Sequence, residues 1–420
     1  MKRKGLIILF ILILTISLFS DSLKMIKKIE IKNRDPKNIN LAFTENEIII
    51  TPIFVKGDTF NVEVYSLYNN KKELITKKPP ALFEVGQFGS PPVINIYTFE
   101  NKFWIICGNE KNGDMEISEY IKKDDKYVFN KKLNLDIKSL YVTIDYKMKD
   151  KFILSALVNE TGRKLILIDK NLNWYKDLIT LNDFSGYLEI AEYKDKLYIF
   201  ESTTEKSVSS FFGANSKYIK LKHTFDVKTY KLLKKEEKVF SDMEYYTYIY
   251  QNGKYAYFGN YGGKINIKRY DLESGKVEDI NMEEIYPLLK EGKINYDYYV
   301  YNKNQKMLIV IEEENATKLI FGKVRDKKFV ILWKNEIKGK NEVYLAIFKN
   351  ANFTDINFSG EKEILYLNNK NYKINMKTGE ISRLTDKPIL FFKREDRYYG
   401  ILKENNTINK ILEIYELKLE

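Results

Sequence analysis

The chain has 420 residues, a formal net charge of +12, 30% charged and 44% hydrophobic residues, one cysteine and one histidine. A single cysteine excludes an intramolecular disulfide, and one His with one Cys excludes a zinc site of the usual kind from this chain alone. The basic balance admits nucleic acid, an anionic glycan or a negative membrane surface as partner, but Lys and Glu are spread along the chain without a block of five like charges, as on solvated strand faces.

The first element is a targeting pattern. Lys2, Arg3 and Lys4 precede an apolar run from Leu6 to Phe19, and the chain turns polar at Ser20-Asp21-Ser22. Residues 1–20 are expected to be a secretory signal peptide, with residues 21–420 as the mature domain. The alternative is an uncleaved membrane anchor, although the run is short for a bilayer span. No cysteine follows it, which excludes a lipoprotein anchor. Loss of Lys2, Arg3 and Lys4 leaves +9. Export makes the protein extracytoplasmic, periplasmic or secreted, and argues against nucleic acid. No further transmembrane segment is expected.

Next comes "KMIKKIEIKN" (24–33), a lone strand. After it one unit recurs: a strand, a polar turn, a second strand, a loop, a third strand, a short turn and a fourth. It starts with "TENEIIITPIF" and "FNVEVYSLYNNKKELIT", then "FENKFWIICGN" with "MEISEYIKKDDKYVFNKKL". "KMKDKFILSALVNE" with "RKLILIDKNLNWYKDLITL" and "YKDKLYIFEST" with "YIKLKHTFDVKTYKLLKK" follow. "QNGKYAYFGN" pairs with "YDLESGKVEDI", "NKNQKMLIVIEE" with "KLIFGKVRDKKFVILW", "FSGEKEILYL" with "NYKINMKTGEISRL", and "KREDRYYGILKE" with "ILEIYELKLE". The one helical candidate, "NMEEIYPLLKEG" (281–292), is cut short by Pro287.

The turn before the fourth strand has a chemical signature. Asp271, and at the equivalent positions Asp169, Asp226 and Asn375, can accept local backbone hydrogen bonds, while Gly275 and Gly379 supply a positive φ. Ile, Val, Tyr and Phe fill the flanking strands. Eight such units, about 35–60 residues apart, predict a single all-β propeller of eight four-stranded blades, with seven as the alternative if one unit is only an extended edge. The last unit has three strands, so the lone N-terminal strand is expected to supply its fourth and close the ring.

"YDLESGKVEDI" and "INMKTGEISRL" resemble the blade hairpins of quinoprotein-type and WD-repeat-like bacterial β-propellers, and "INFSGEKEILYL" resembles their first turn. The Gly-His and Trp-Asp signatures of WD repeats, the repeated tryptophans of quinoprotein dehydrogenases and the sialidase box are absent. The resemblance therefore implies an architecture and carries no catalytic residues across.

Residues able to do chemistry are sparse. His223 alternates with Leu221 and Phe225 and reads as structural. Cys107 in "FWIICGN" reads as a buried small hydrophobe. No P-loop, dinucleotide fingerprint or nucleophile elbow occurs. The carboxylates of "IEEEN" (311–315) and "NMEEI" (281–285) read as solvated turns, and those of "EKNGDME" and "NETGR" as hairpin turns. No metal and no cofactor are expected.

Function points instead to loop length. In a propeller the connections from fourth to first strand and from second to third open on one end of the ring. Two insertions fall there, "PPALFEVGQFGSPP" (79–92) and "STTEKSVSSFFGANSK" (202–217). Long loops on a rigid scaffold are where function concentrates. Phe83, Phe88, Phe211 and Phe212, with Tyr245, Tyr286 and Tyr296 on neighbouring connections, are the candidate binding residues. The expected function is a non-enzymatic module that binds an envelope or extracellular protein, a peptide or an anionic glycan. The alternative is a carbohydrate-active hydrolase or lyase with carboxylates in the central channel, for which Glu189 and Asp355 are the clear acids on expected innermost strands.

Overall fold

The computed structural model describes residues 22–30, 39–53, 59–78, 84–85, 88–89, 93–99, 101–108, 111, 113–139, 142–158, 162–181, 189–205, 217–242, 244–261, 264–289, 295–301, 306–313, 315–338, 343–345, 362–367, 370–385, 389–394, 397–405 and 410–418. Within them lie eight four-stranded antiparallel sheets, each formed by strands adjacent in sequence except at the ring seam, and one two-stranded ribbon. They are the eight blades of a β-propeller.

We letter the strands A to D from the axis outward. Blade 1 is Ile39–Phe43, Glu47–Pro52, Phe60–Ser66 and Lys72–Lys77; blade 2 is Asn95–Thr98, Lys102–Gly108, Asp114–Lys123 and Lys126–Lys138. Blade 3 is Val142–Lys147, Lys151–Leu157, Arg163–Asp169 and Tyr175–Leu181; blade 4 is Glu189–Tyr193, Lys196–Glu205, Lys217–Asp226 and Leu232–Asp242. Blade 5 is Tyr245–Asn252, Tyr255–Tyr261, Ile267–Asp271 and Val277–Asp279; blade 6 is Asn295–Tyr301, Lys306–Glu312, Ala316–Arg325 and Lys328–Lys338. Blade 7 is Val343–Leu345, Lys362–Leu367, Lys370–Asn375 and Ile381–Thr385. Blade 8 is Leu390–Arg394, Arg397–Asn405, Lys410–Lys418 and, as its D strand, Ser22–Glu30. The N-terminal strand thus closes the ring as expected, running from Ser22 opposite Lys418 to Glu30 opposite Ile411.

Inner strands are covered on both faces, so their sequences are continuous apolar runs rather than alternating ones. Met307 to Ile311 are all buried, as are Phe103 to Cys107. Each blade interface encloses one apolar cluster, giving eight around the ring. The seam is no exception: Ile29 of the N-terminal strand packs with Leu41 and Phe43 of blade 1 and Tyr399 and Ile414 of blade 8.

The turn chemistry read from the sequence holds. Asp271 Oδ1 accepts from the backbone N–H of Glu273 and Ser274, Asn375 Oδ1 from Lys377 and Thr378, and Asp226 Oδ1 from Thr229. Gly275 and Gly379 sit at φ +74° and +78°. A methyl group on Gly379 would also lie 2.7 Å from the Trp333 ring, so that position has no room for a side chain. The turn is tied to the A–B turn of its own blade, since Leu272 N donates to Lys254 O and Val227 N to Asp195 O.

Several expectations need correction. The innermost strand described in blade 7 is Val343–Leu345, paired with Leu365 to Leu367, while "TDINFS" (354–359), expected there, lies outside the described residues along with Asp355. Ser202 to Glu205 continue the B strand of blade 4 instead of opening a loop. The segment 281–292 contributes a single 3-10 turn, Tyr286–Leu288. Glu313 is not solvated: it is nearly buried and accepts from Lys318 Nζ at 2.5 Å. Among the described residues no helix is long and apolar enough to cross a membrane.

Candidate interaction site at the loop-rich end

Of the candidate binding residues, Phe83, Phe211 and Phe212 lie outside the described residues. Phe88 pairs with Val85 in the two-stranded ribbon, and Tyr296 pairs with Ile311 on the innermost strand of blade 6; the side chains of both lie outside the described residues. Tyr245 and Tyr286 are described, and the structure puts them in different places.

Tyr245 opens the A strand of blade 5. Its ring meets Tyr218 edge to face at 5.4 Å, and Lys220 Nζ lies 5.8 Å from its centroid. Beneath it is a buried polar pair. Lys220 Nζ, on the C strand of blade 4, donates to Glu189 Oε2 at 2.7 Å and to Ser202 Oγ at 2.5 Å. Burial pushes the Glu189 carboxyl up and the Lys220 ammonium down. Glu189, the one described acid behind the channel-enzyme alternative, is therefore committed to an ion pair within blade 4, on the side that faces blade 5.

Tyr286 stands at a cavity of about 510 Å³. The cavity is built by three connections at the loop-rich end: Asp242 and Glu244 leaving blade 4, Lys264 and Asn266 entering the C strand of blade 5, and Asp279 to Glu283 leading to blade 6. Asn260 organises the middle connection. Its Nδ2 donates to Lys264 O at 2.8 Å, and its Oδ1 accepts from Asn266 N at 2.8 Å. Asn281 anchors the third, donating its N–H to Lys327 O and accepting from Phe329 N, which straps the segment to blade 6.

The cavity is acidic and aromatic. Lys268 neutralises part of it from below, 3.1 Å from Asp242 and 2.9 Å from Asp279. Lys264 Nζ sits 3.6 Å over the Tyr286 ring, a close cation–π contact. Burial pushes the Tyr286 hydroxyl up, reinforced by Asp279, Glu244 and Glu283. Tyr246 is buried alongside, and its hydroxyl accepts from Asn266 Nδ2 at 3.0 Å. Asp242, Glu244 and Lys264 were not singled out in the sequence. The segment "NMEEI" was, but as solvated surface; it lines the cavity instead.

Elsewhere the lone reactive candidates are structural. His223 Nε2 is 2.8 Å from Glu201 Oε2, and its Nδ1 accepts from Glu236 N at 3.4 Å. It faces a buried carboxylate and not only the apolar neighbours expected. Cys107 is buried, and burial pushes its thiol up. On the innermost strand of blade 3, Asp145 accepts from Thr143 Oγ1 at 2.6 Å, and burial pushes its carboxyl up.

No family model matches the chain, and no curated protein matches it in sequence. Solved structures do match it. The Dos1 propeller aligns over 94% of this chain and 95% of its own at 11% identity, with a TM-score of 0.52. The chain has the β-propeller fold. The propeller domain of Myceliophteria thermophila Cps50 (Swd1) aligns over 94% and 99% at 10% identity and TM-score 0.39, and an uncharacterized Listeria monocytogenes protein over 90% and 92% at 12% identity and TM-score 0.45. At these identities the likeness is one of fold alone, as the hairpin resemblance implied.

Proposed function

We propose that the chain is an exported, non-enzymatic propeller that binds a protein or peptide at its loop-rich end, centred on the cavity beside blade 5. The observation that carries this reading is the cavity itself: an open hollow made of inter-strand connections and the strand ends beside them, with Tyr286 on one side and Asp242, Glu244, Asp279 and Glu283 around it. Tyrosines with an apolar body and a polar tip are favoured contact residues. The carboxylates oppose an anionic glycan at this place and favour a cationic side chain, which would take over the ring face now held by Lys264. Phe83, Phe88, Phe211 and Phe212 belong to the proposal by their place in the two inserted segments of the sequence, and Tyr245 and Tyr296 by their place at the start of A strands.

The test is capture from envelope extract, followed by affinity measurement with the partner identified. Glu283 is exposed, so Glu283→Lys should leave the unfolding midpoint unchanged while weakening binding; Tyr286→Ala should weaken it by about thirtyfold, as for an anchor worth about 2 kcal/mol. Full capture by both variants overturns the reading.

Export rests on the basic start, short apolar run and polar exit of residues 1–20. Mass spectrometry of protein from its native host should show a chain beginning near Asp21. A mass that retains Met1 would replace secretion with anchoring.

A further inference from the structure

The cavity beside blade 5 already holds a cation. Lys264 Nζ lies 3.6 Å from the centre of the Tyr286 ring, and the carboxylates of Asp242, Glu244, Asp279 and Glu283 line the same hollow. On a chain of net +12 the cavity thus reverses the sign of the charge. Yet Lys264 forms no ion pair with any of these acids among the described residues. Lys268 does, with Asp242 and Asp279, but from beneath.

Three of the carboxylates use one oxygen and leave the other. Glu244 Oε2 accepts from Asn260 Nδ2, Asp279 Oδ1 from Lys268 Nζ and Asn266 Nδ2, and Glu283 Oε2 from Asn281 Nδ2. Glu244 Oε1, Asp279 Oδ2 and Glu283 Oε1 accept from no described residue. The frame around them is fixed. Asn260 is fully buried and holds the Lys264 backbone, donating to Lys264 O and giving its own oxygen to Asn266 N. Ile265 beside it is fully buried as well. Tyr286 opens the 3-10 turn, with buried Ile285 before it and its carbonyl accepting from Leu289 N. The Lys264 side chain itself is exposed, so it can leave the ring face while the backbone stays in place.

We propose that the cavity takes an arginine side chain of the partner peptide, and that Lys264 is the built-in competitor which that side chain displaces. The inference rests on the reading of this cavity as the binding site, and narrows its ligand from any cation to one. An ammonium is a compact charge, and the one now over the ring reaches no carboxylate. A guanidinium is planar. It stacks flat on an aromatic face and directs its N–H donors outward from its edge, so one group can cover Tyr286 and meet the remaining carboxylate oxygens together. A lysine of the partner would exchange one ammonium for another and gain little. Lys264 therefore sets a threshold: it shields the ring in the empty protein and yields only to a group that makes both contacts.

The probes are the blocked peptide acetyl-Gly-Arg-Gly-Arg-Gly-amide and the same peptide with lysine in place of arginine, titrated calorimetrically into the natural chain. The arginine peptide should bind at least about fivefold tighter than the lysine peptide. Lys264→Met clears the ring face and should tighten the arginine peptide about fivefold. Lys264→Arg keeps the charge but occupies ring and carboxylates more firmly, so it should weaken the same peptide about threefold or more; a purely long-range effect of charge would leave it unchanged. Tyr286→Ala should erase the difference between the two peptides. Equal affinity for the two peptides, binding of neither, or equal affinity in the Lys264→Met and Lys264→Arg chains would each overturn the proposal. If any of these occurs while capture of the natural partner still depends on Tyr286 and Glu283, only the arginine inference falls and the cavity keeps its role.

Discussion

Two buried glutamates, each with one lysine, have opposite fates in this ring. Glu119, between blades 2 and 3, accepts from Lys102 Nζ at 2.6 Å, Trp104 Nε1 at 3.0 Å and Asn130 Nδ2 at 2.7 Å. Burial raises its pKa, but those three donors together hold the carboxyl below the usual range. Glu189, between blades 4 and 5, has Lys220 and the Tyr248 backbone N–H, and burial wins: its carboxyl is pushed up and Lys220 is pushed down. The difference is the number of donors that each carboxylate finds. A single ammonium does not repay the desolvation of both charges, whereas added neutral donors lower the cost without burying another charge.

The most severe way to break this comparison is to remove one partner of the poorer pair. Lys220→Met leaves Glu189 buried and uncompensated and should cost about 3–5 kcal/mol, read from urea unfolding. Adding Glu189→Leu should restore most of the loss, because the two side chains then extend an interface already lined by Phe200 and Phe258. A single variant that costs less than about 1 kcal/mol would show that water already reaches the pair.

A smaller effect sharpens the contrast in sign. An unfolded glutamate titrates near 4.3. Glu119 lies below that in the fold, so its stabilisation is complete above it and is lost as pH falls through the folded value. Glu189 lies above it, so the fold takes up its proton more readily than the unfolded chain does, and it adds nothing to acid lability. Between about pH 3 and 5 the unfolding free energy should therefore fall less steeply in Glu119→Gln than in the natural chain, while Glu189→Gln should keep the full slope or exceed it. Equal slopes would mean that the added donors on Glu119 do not matter.

The ring was legible in the sequence wherever a turn demanded particular chemistry. Asp271 with Gly275 and Asn375 with Gly379 announce hairpins because few residues satisfy those positions, and the lone strand at Ser22–Glu30 announces closure because the last unit lacks a strand. Charge was not legible in the same way. In "KYIKLKHTFD" the lysines alternate with apolar residues, which ordinarily signals one solvated face. In a propeller both faces of such a strand meet a neighbouring blade, so Lys220 and Lys222 are buried and must find partners on other strands. The cavity beside blade 5 was hidden for a related reason: its walls come from three separate connections between residues 242 and 286, and only its tyrosines and the "NMEEI" run carried a local signal.

The seam in blade 8 sets an order of events. Ser22–Glu30 leaves the ribosome before any other strand of the ring, and its partner Lys410–Lys418 is the last to be made. Every other blade can complete its own sheet as soon as its four strands have emerged. The first strand must instead wait, unpaired, while the rest of the chain is synthesised around its absence. Its sequence suits that delay: Lys24, Lys27 and Lys28 interrupt Met25, Ile26 and Ile29, a spacing of charge that discourages pairing with the edges of other chains. The ring latches only once Lys410–Lys418 has been made, and a chain that stops short of it is left with an open edge that no later step can cover.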